Sequence, residues 1–123
     1  MPRHAGTSFA GRTGNAITAS ARVRPGVARA LCAGHFPGDP LLPGAALVAL
    51  MAELGATLGK PRARLVAVER SVFRRRIAPG GDLIVGARRT RAAAGGFGVH
   101  ATVSSEDELA AWALLRFEGA RRR

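Results

Sequence analysis

Apolar and polar positions along the chain fall into short blocks punctuated by glycine and proline. Residues 16–23 (AITASARV) alternate apolar with small polar side chains, the period-2 pattern of a half-buried strand. Pro25 and Gly26 then mark a turn, and residues 27–33 are expected to form a second short strand. Residues 35–44 (HFPGDPLLPG) carry three prolines, which remove backbone donors and fix φ, so no regular element is expected there. Residues 45–59 are apolar nearly all round. Pro43 and Gly44 stand at the start of this block, Gly59 follows its last turn and Pro61 stops it. The block predicts one helix buried on all sides. Four strand-like blocks follow at 65–76, 83–91, 97–103 and 109–117, separated by APGGD (78–82), AAAGG (92–96) and SSEDE (104–108). The economical arrangement is α+β: an antiparallel sheet wrapped around one central helix, which buries that helix in a single layer. Residues 1–14 hold only Phe9 as a bulky anchor and are expected to form a mobile or loosely docked arm. The domain is expected at 15–119, with a basic tail at 120–123.

Composition narrows the class. A length of 123 residues supports one core but not two, and 47% hydrophobic residues exclude wholesale disorder. There are 19 Lys+Arg against 8 Asp+Glu, a formal net charge of +11, and Lys60 is the only lysine. Such a surface favours an anionic partner. Cys32 is the sole cysteine, so neither an intrachain disulfide nor a thiolate zinc cluster can form, and no metal is expected. The first residues contain no apolar signal core, and the longest apolar stretch, 41–58, is broken by Pro43 and Glu53. These features predict a cytoplasmic protein without membrane insertion.

The segment GHFPGDPLLPGAALVALMAELG (34–55) resembles the β-hydroxyacyl-acyl-carrier-protein dehydratases, whose pattern is a His-Phe-Pro-Gly-x-Pro loop, a Pro-Gly and a buried helix. VFRRRIAPGGDLIV (72–85) looks like the same family's strand–PGD–strand element, and the resemblance runs from about residue 16 to residue 117. It implies a hotdog fold, usually dimeric, acting on acyl thioesters carried by the phosphopantetheine of an acyl carrier protein or by coenzyme A, with no other cofactor. It implies dehydration of a 3-hydroxyacyl thioester in fatty acid or polyketide biosynthesis, a hydro-lyase reaction. That chemistry needs a base for the α-proton, an acid for the departing hydroxyl and donors for the enolate-like oxygen. His35 suits the first task, since imidazole titrates near neutral pH. Gly44 matches the family's glycine whose amide faces the thioester carbonyl, where free N–H groups and the positive end of a helix dipole favour an oxyanion.

The acid departs from the pattern. The family places Glu or Asp fourteen residues after the loop histidine, and this chain has Ala49 there. Glu53, one turn further and about 5.4 Å along the helix axis, is the nearest carboxylate. Its two readings stand level: a substitute acid, or a carboxylate satisfied by an arginine or by backbone donors, because a charge in an apolar helix must be paired or neutral. A third reading supplies the acid from an acid-bearing relative in a heterodimer, the family's site being built across the dimer interface. A hotdog thioesterase and a non-catalytic or half-active subunit are the remaining alternatives. Arg74, Arg75 and Arg76 correspond to the basic strand near the tunnel mouth that meets the carrier protein in the family; Arg88, Arg89 and Arg91 form a second cluster, and residues 121–123 read as a solvated tail. Nucleic acid is not an expected partner, because the chain has no tyrosine, one tryptophan and five phenylalanines on which bases could stack. Asp39 is expected to cap or form a turn, Cys32 to be a small packed residue, and His4 and His100 carry no assigned role.

Overall fold

A computed structural model describes residues 8–32, 44–59, 63–77, 81–93 and 95–119. The element order is β1 (Phe9–Gly14), β2 (Thr18–Val23), α1 (Pro25–Cys32), α2 (Gly44–Ala56), β3 (Arg64–Phe73), β4 (Leu83–Ala93), β5 (Gly96–Ser105) and β6 (Glu108–Glu118). The strands form one six-stranded sheet in the order β1-β2-β4-β5-β6-β3, and every neighbouring pair is antiparallel. β4, β5 and β6 form a meander. β3 reaches the far edge by pairing with β6, while β1 and β2 occupy the opposite edge.

Helix α2 packs across one face of this sheet. Leu47, Leu50, Met51 and Leu54 from the helix, with Leu58 just beyond it, meet Val85, Val99, Val103, Leu115 and Phe117 from β4, β5 and β6. Alanines supply much of the sheet's inner face: Ala19, Ala21, Ala87, Ala101, Ala111 and Ala113 are all buried. Their small side chains let the helix approach closely, and the larger residues of α2 fill the space. The strict buried–half-buried alternation of β5, from Gly96 to Val103, shows its inner and outer faces directly.

Four expectations are corrected. Residues 27–33 were expected as a strand, but Pro25–Cys32 is a helix. Pro25 sits at its first position, where proline's fixed φ is already helical. The carbonyl of Arg24 accepts from the N–H groups of Val27 and Ala28 at 3.0 and 3.3 Å. Within the expected arm, Phe9–Gly14 is strand β1, paired along β2 with a bulge between Phe9 and Gly11. Phe9 is buried, and the carbonyls of Ser8 and Phe9 both accept from Arg24, from its backbone N–H at 2.9 Å and its Nε at 3.0 Å. Strand β3 ends at Phe73, so Arg74, Arg75 and Arg76 follow the strand rather than belong to it. Finally, α2 is not covered all round: Ala45 and Ala49 are exposed, and Val48, Ala52 and Glu53 are half-buried.

Candidate functional site

The site expected from the sequence centres on the amino end of α2. Gly44 is the first residue of this thirteen-residue helix, so its N–H belongs to the first turn, whose donors have no partner inside the helix. The helix dipole adds partial positive charge at the same place. A Cβ built on Gly44 would lie 3.1 Å from Cζ of Phe73 and 3.3 and 3.4 Å from its Cε atoms. The tip of the Phe73 ring therefore fills the space that a side chain at position 44 would take. Phe73 is nonetheless 47% exposed. His35 and Asp39 lie outside the described residues.

Ala49 lies five residues along α2 from Gly44, about 7.5 Å up the axis, on the exposed side of the helix. It presents a methyl group where the dehydratase pattern calls for a carboxylate. Glu53, the only carboxylate of α2, is half-buried and already engaged. Its Oε2 accepts from the backbone N–H of Ser8 at 2.8 Å, and its Oε1 accepts from the Ser8 hydroxyl at 2.7 Å. Both oxygens are thus spoken for by the residue that leads into β1. One turn later the pattern repeats: Arg12 Nε donates to Thr57 Oγ1 at 3.0 Å. Residues 8 and 12 of the first strand region are pinned to residues 53 and 57 at the end of the helix. This is the arrangement of a carboxylate satisfied by donors, with Glu53 tying the start of β1 to α2.

At the opposite end of α2, Arg89 donates from a terminal guanidinium nitrogen to the carbonyl of Leu58 at 3.3 Å, and its Cζ lies 4.2 Å from the Phe97 ring centroid. A cation there satisfies a carbonyl beyond the helix and complements the negative end of its dipole. Arg89 therefore has a structural task within its cluster. Arg74, Arg75 and Arg76 are exposed directly beyond Phe73. The backbone N–H groups of Arg74 and Arg75 both reach the carbonyl of Ala110, at 2.7 and 3.2 Å, and the Arg75 guanidinium pairs with Glu108. The backbone of Arg74 and Arg75 is thus fixed against β6, and all three arginines are exposed.

His100 stacks on Trp112 with ring centroids 5.6 Å apart, and Arg70 lies 5.7 Å from the Trp112 ring, all on the sheet face away from α2. The structure thus does not bring His100 to the helix. Among the described residues no three His, Cys, Asp or Glu side chains gather as metal ligands, and no helix is long and apolar enough to cross a membrane. Sequence reasoning missed Phe73 and Ser8. Phe73 had a readable signal, since it precedes the three arginines of the strand–PGD element; Ser8 had none.

A family model described as ApeI-like, ApeI dehydratase, matches residues 11–111. A 3-hydroxyacyl-[acyl-carrier-protein] dehydratase FabZ of Psychrobacter arcticus is 36% identical over 92 residues, 67% of this chain and 63% of that protein. A FabZ of Thermus thermophilus is 34% identical over 97 residues, 71% of this chain and 68% of that protein. The chain thus spans about three fifths to two thirds of the length of these relatives. Among solved structures, the dehydratase heterocomplex ApeI:P from Xenorhabdus doucetiae superposes with a TM-score of 0.70 at 20% identity, over 89% of this chain and 96% of that one. The hexameric thioesterase y2039 from Yersinia pestis gives 0.62 at 19% identity, over 67% and 75%. The antiparallel sheet with α2 packed on one face, shared with such structures, is the hotdog fold.

Proposed function

The chain belongs to the ApeI-like dehydratase family, and from that premise we propose that it catalyses the syn elimination of water from a 3-hydroxyacyl thioester. His35 removes the α-proton. Gly44 N–H stabilises the negative charge that develops on the thioester oxygen, the C3–O bond breaks, and the hydroxyl leaves as water with a proton from an acid. The double bond forms between C2 and C3. The observation that carries this reading is the amino end of α2 at Gly44, whose first-turn amides have no partner within the helix, in a helix that follows the HFPGDPLLPG segment. The relatives, 3-hydroxyacyl-[acyl-carrier-protein] dehydratases, support this reading.

The acid comes from a second, acid-bearing subunit. Glu53 is held by Ser8, and Ala49 lies on a helix face that is apolar yet open, with Ala45 exposed beside it and Val48 and Ala52 half-buried. An apolar face left open on a single chain favours burial against a partner. Strand β3 offers the pairing edge, since it is ten residues long and exposes Val68 midway along it. The ApeI:P structure is described as a heterocomplex, a precedent for pairing two unlike subunits. The acyl group is presented on an acyl carrier protein or coenzyme A, with Arg74 and Arg76 as the docking cations and no further cofactor.

Enoyl thioester formation by the purified chain tests the assignment. Ala49→Glu should raise turnover of the chain alone by at least about 10²-fold, the usual worth of a positioned general acid. His35→Ala should remove that gain. A parent chain that turns over as fast as Ala49→Glu would overturn the partner-supplied acid.

A further inference from the structure

We propose that Phe73 is the positioning residue of the thioester pocket: its ring supplies the wall that Gly44 lacks, and its exposed flank receives the first carbons of the acyl chain. The inference rests on Gly44 being the oxyanion donor, as argued above. Phe73 is the last residue of β3, and the backbone immediately after it is tied to β6 through Ala110, so the ring starts from a fixed point. Three atoms of the ring tip, Cζ and both Cε, converge on the position of an absent Gly44 Cβ at 3.1–3.4 Å. The ring is thus aimed end-on at the first turn of α2, close enough that a side chain at 44 would have to push it by a few tenths of an ångström. About half of its surface stays accessible, which is unusual for an aromatic side chain held so closely at one end.

Two functions follow from that placement. The ring tip displaces water from beside the Gly44 amide, so the N–H faces a drier environment, in which a hydrogen bond to a developing oxyanion gains strength. The ring flank offers an apolar surface next to the carbonyl position, where the carbons that follow the thioester carbonyl must lie. Glycine at 44 and phenylalanine at 73 are then one device. A methyl group at 44 pushes the ring by a few tenths of an ångström, and a truncated ring leaves the amide wet.

A double-mutant cycle tests the device in the complete active assembly, with enoyl formation as the readout and thermal unfolding and oligomeric state measured alongside. Gly44→Ala and Phe73→Ala should each lower kcat/KM about tenfold, the scale on which small displacements of reacting groups act. If the two act through one contact, Gly44→Ala/Phe73→Ala should lose no more than Phe73→Ala alone, because the methyl then has room. Phe73→Leu should recover most of kcat while KM stays raised. Additive losses of about a hundredfold would overturn the coupling, as would unchanged kinetics in Phe73→Ala. Dissociation of the assembly by Phe73→Ala with normal kinetics in what remains assembled would make the ring an interface residue instead. A parent assembly with no enoyl formation would mark the failure of the dehydratase reading; loss of coupling in an active parent would mark the failure of this one.

Discussion

At the scale of single residues, Glu53 shows how one contact decides between roles. A carboxylate in an apolar helix must find donors, and Ser8 gives it two, at 2.7 and 2.8 Å. Ser8→Ala removes the hydroxyl donor and should cost about 1 kcal/mol, a fall of roughly 3–5 °C in Tm for a domain of this size. Glu53→Gln should lower Tm comparably and leave turnover within about threefold, far from the roughly 10²–10⁴ that losing a general acid costs. Thermal melts and turnover measured on the same samples check this. A collapse of turnover in Glu53→Gln at unchanged Tm would restore Glu53 as the acid. Gly44, Ala49 and Glu53 were legible in the sequence because they share one helix, where spacing converts directly into position. Their partners were not. Ser8 lies 45 residues from Glu53, and Phe73 reaches Gly44 from another strand, so only tertiary packing brings either pair together.

Elements were legible where side-chain pattern and turn chemistry agreed. The meander β4–β5–β6 and helix α2 emerged within a few residues because buried alternation and glycine-rich breaks mark them clearly. Strand β1 escaped notice because Phe9 is its only buried residue, so no alternation exists to be read. It is held by pairing with β2 and by its anchors to α2. Helix α1 reads as a strand in the sequence because eight residues give a short pattern, with Val27, Ala28 and Leu31 on the inner face, that fits either period. Two glycines test the packing side of the argument. A Cβ on Gly55, in α2, would lie 2.9 Å from Cζ of Phe117, which is fully buried and stacked on Phe97. Gly55→Ala gains about 1 kcal/mol in helix propensity but overpacks a ring that has nowhere to move, at about 1–3 kcal/mol. The clash should win, and Tm should fall. Gly26, in the first turn of α1, has nothing within 4 Å of its would-be Cβ and no positive φ. Gly26→Ala should therefore raise Tm slightly, by up to about 1 kcal/mol of stability. Opposite signs for the same substitution in two helices would show that packing, and not propensity, sets the outcome.

For the whole molecule, the two edges of the sheet and the uneven charge lead to the same side. Edge strand β1 is six residues long and tied down by α2, whereas edge strand β3 is ten residues long, with Val68 43% exposed. An exposed apolar edge of that length invites pairing. Val68→Asp should therefore convert the assembly to single chains in sedimentation analysis and abolish turnover that depends on a partner's acid. Along the same strand, Arg64 pairs with Glu118 at 3.2 Å and Glu69 with Arg116 at 3.3 Å, while Arg70 lies against the Trp112 ring. Three more arginines follow just past Phe73. Arg75 pairs with Glu108, which leaves Arg74 and Arg76, both exposed, in the residues that follow Phe73. The whole chain carries 19 basic against 8 acidic residues, so its net charge attracts an anionic partner. Fixed positive charge at a pocket mouth speeds the encounter with an anionic carrier, and salt screens it over a Debye length of about 10 Å at 0.1 M. Arg74→Ala/Arg76→Ala should thus raise KM several-fold for a substrate on an acidic carrier protein at low salt and leave kcat unchanged. The defect should shrink as salt rises towards about 0.5 M, and a short uncharged thioester should show none. A KM defect that is equal for both substrates and insensitive to salt would place these arginines in the structure of the pocket instead of on its docking surface.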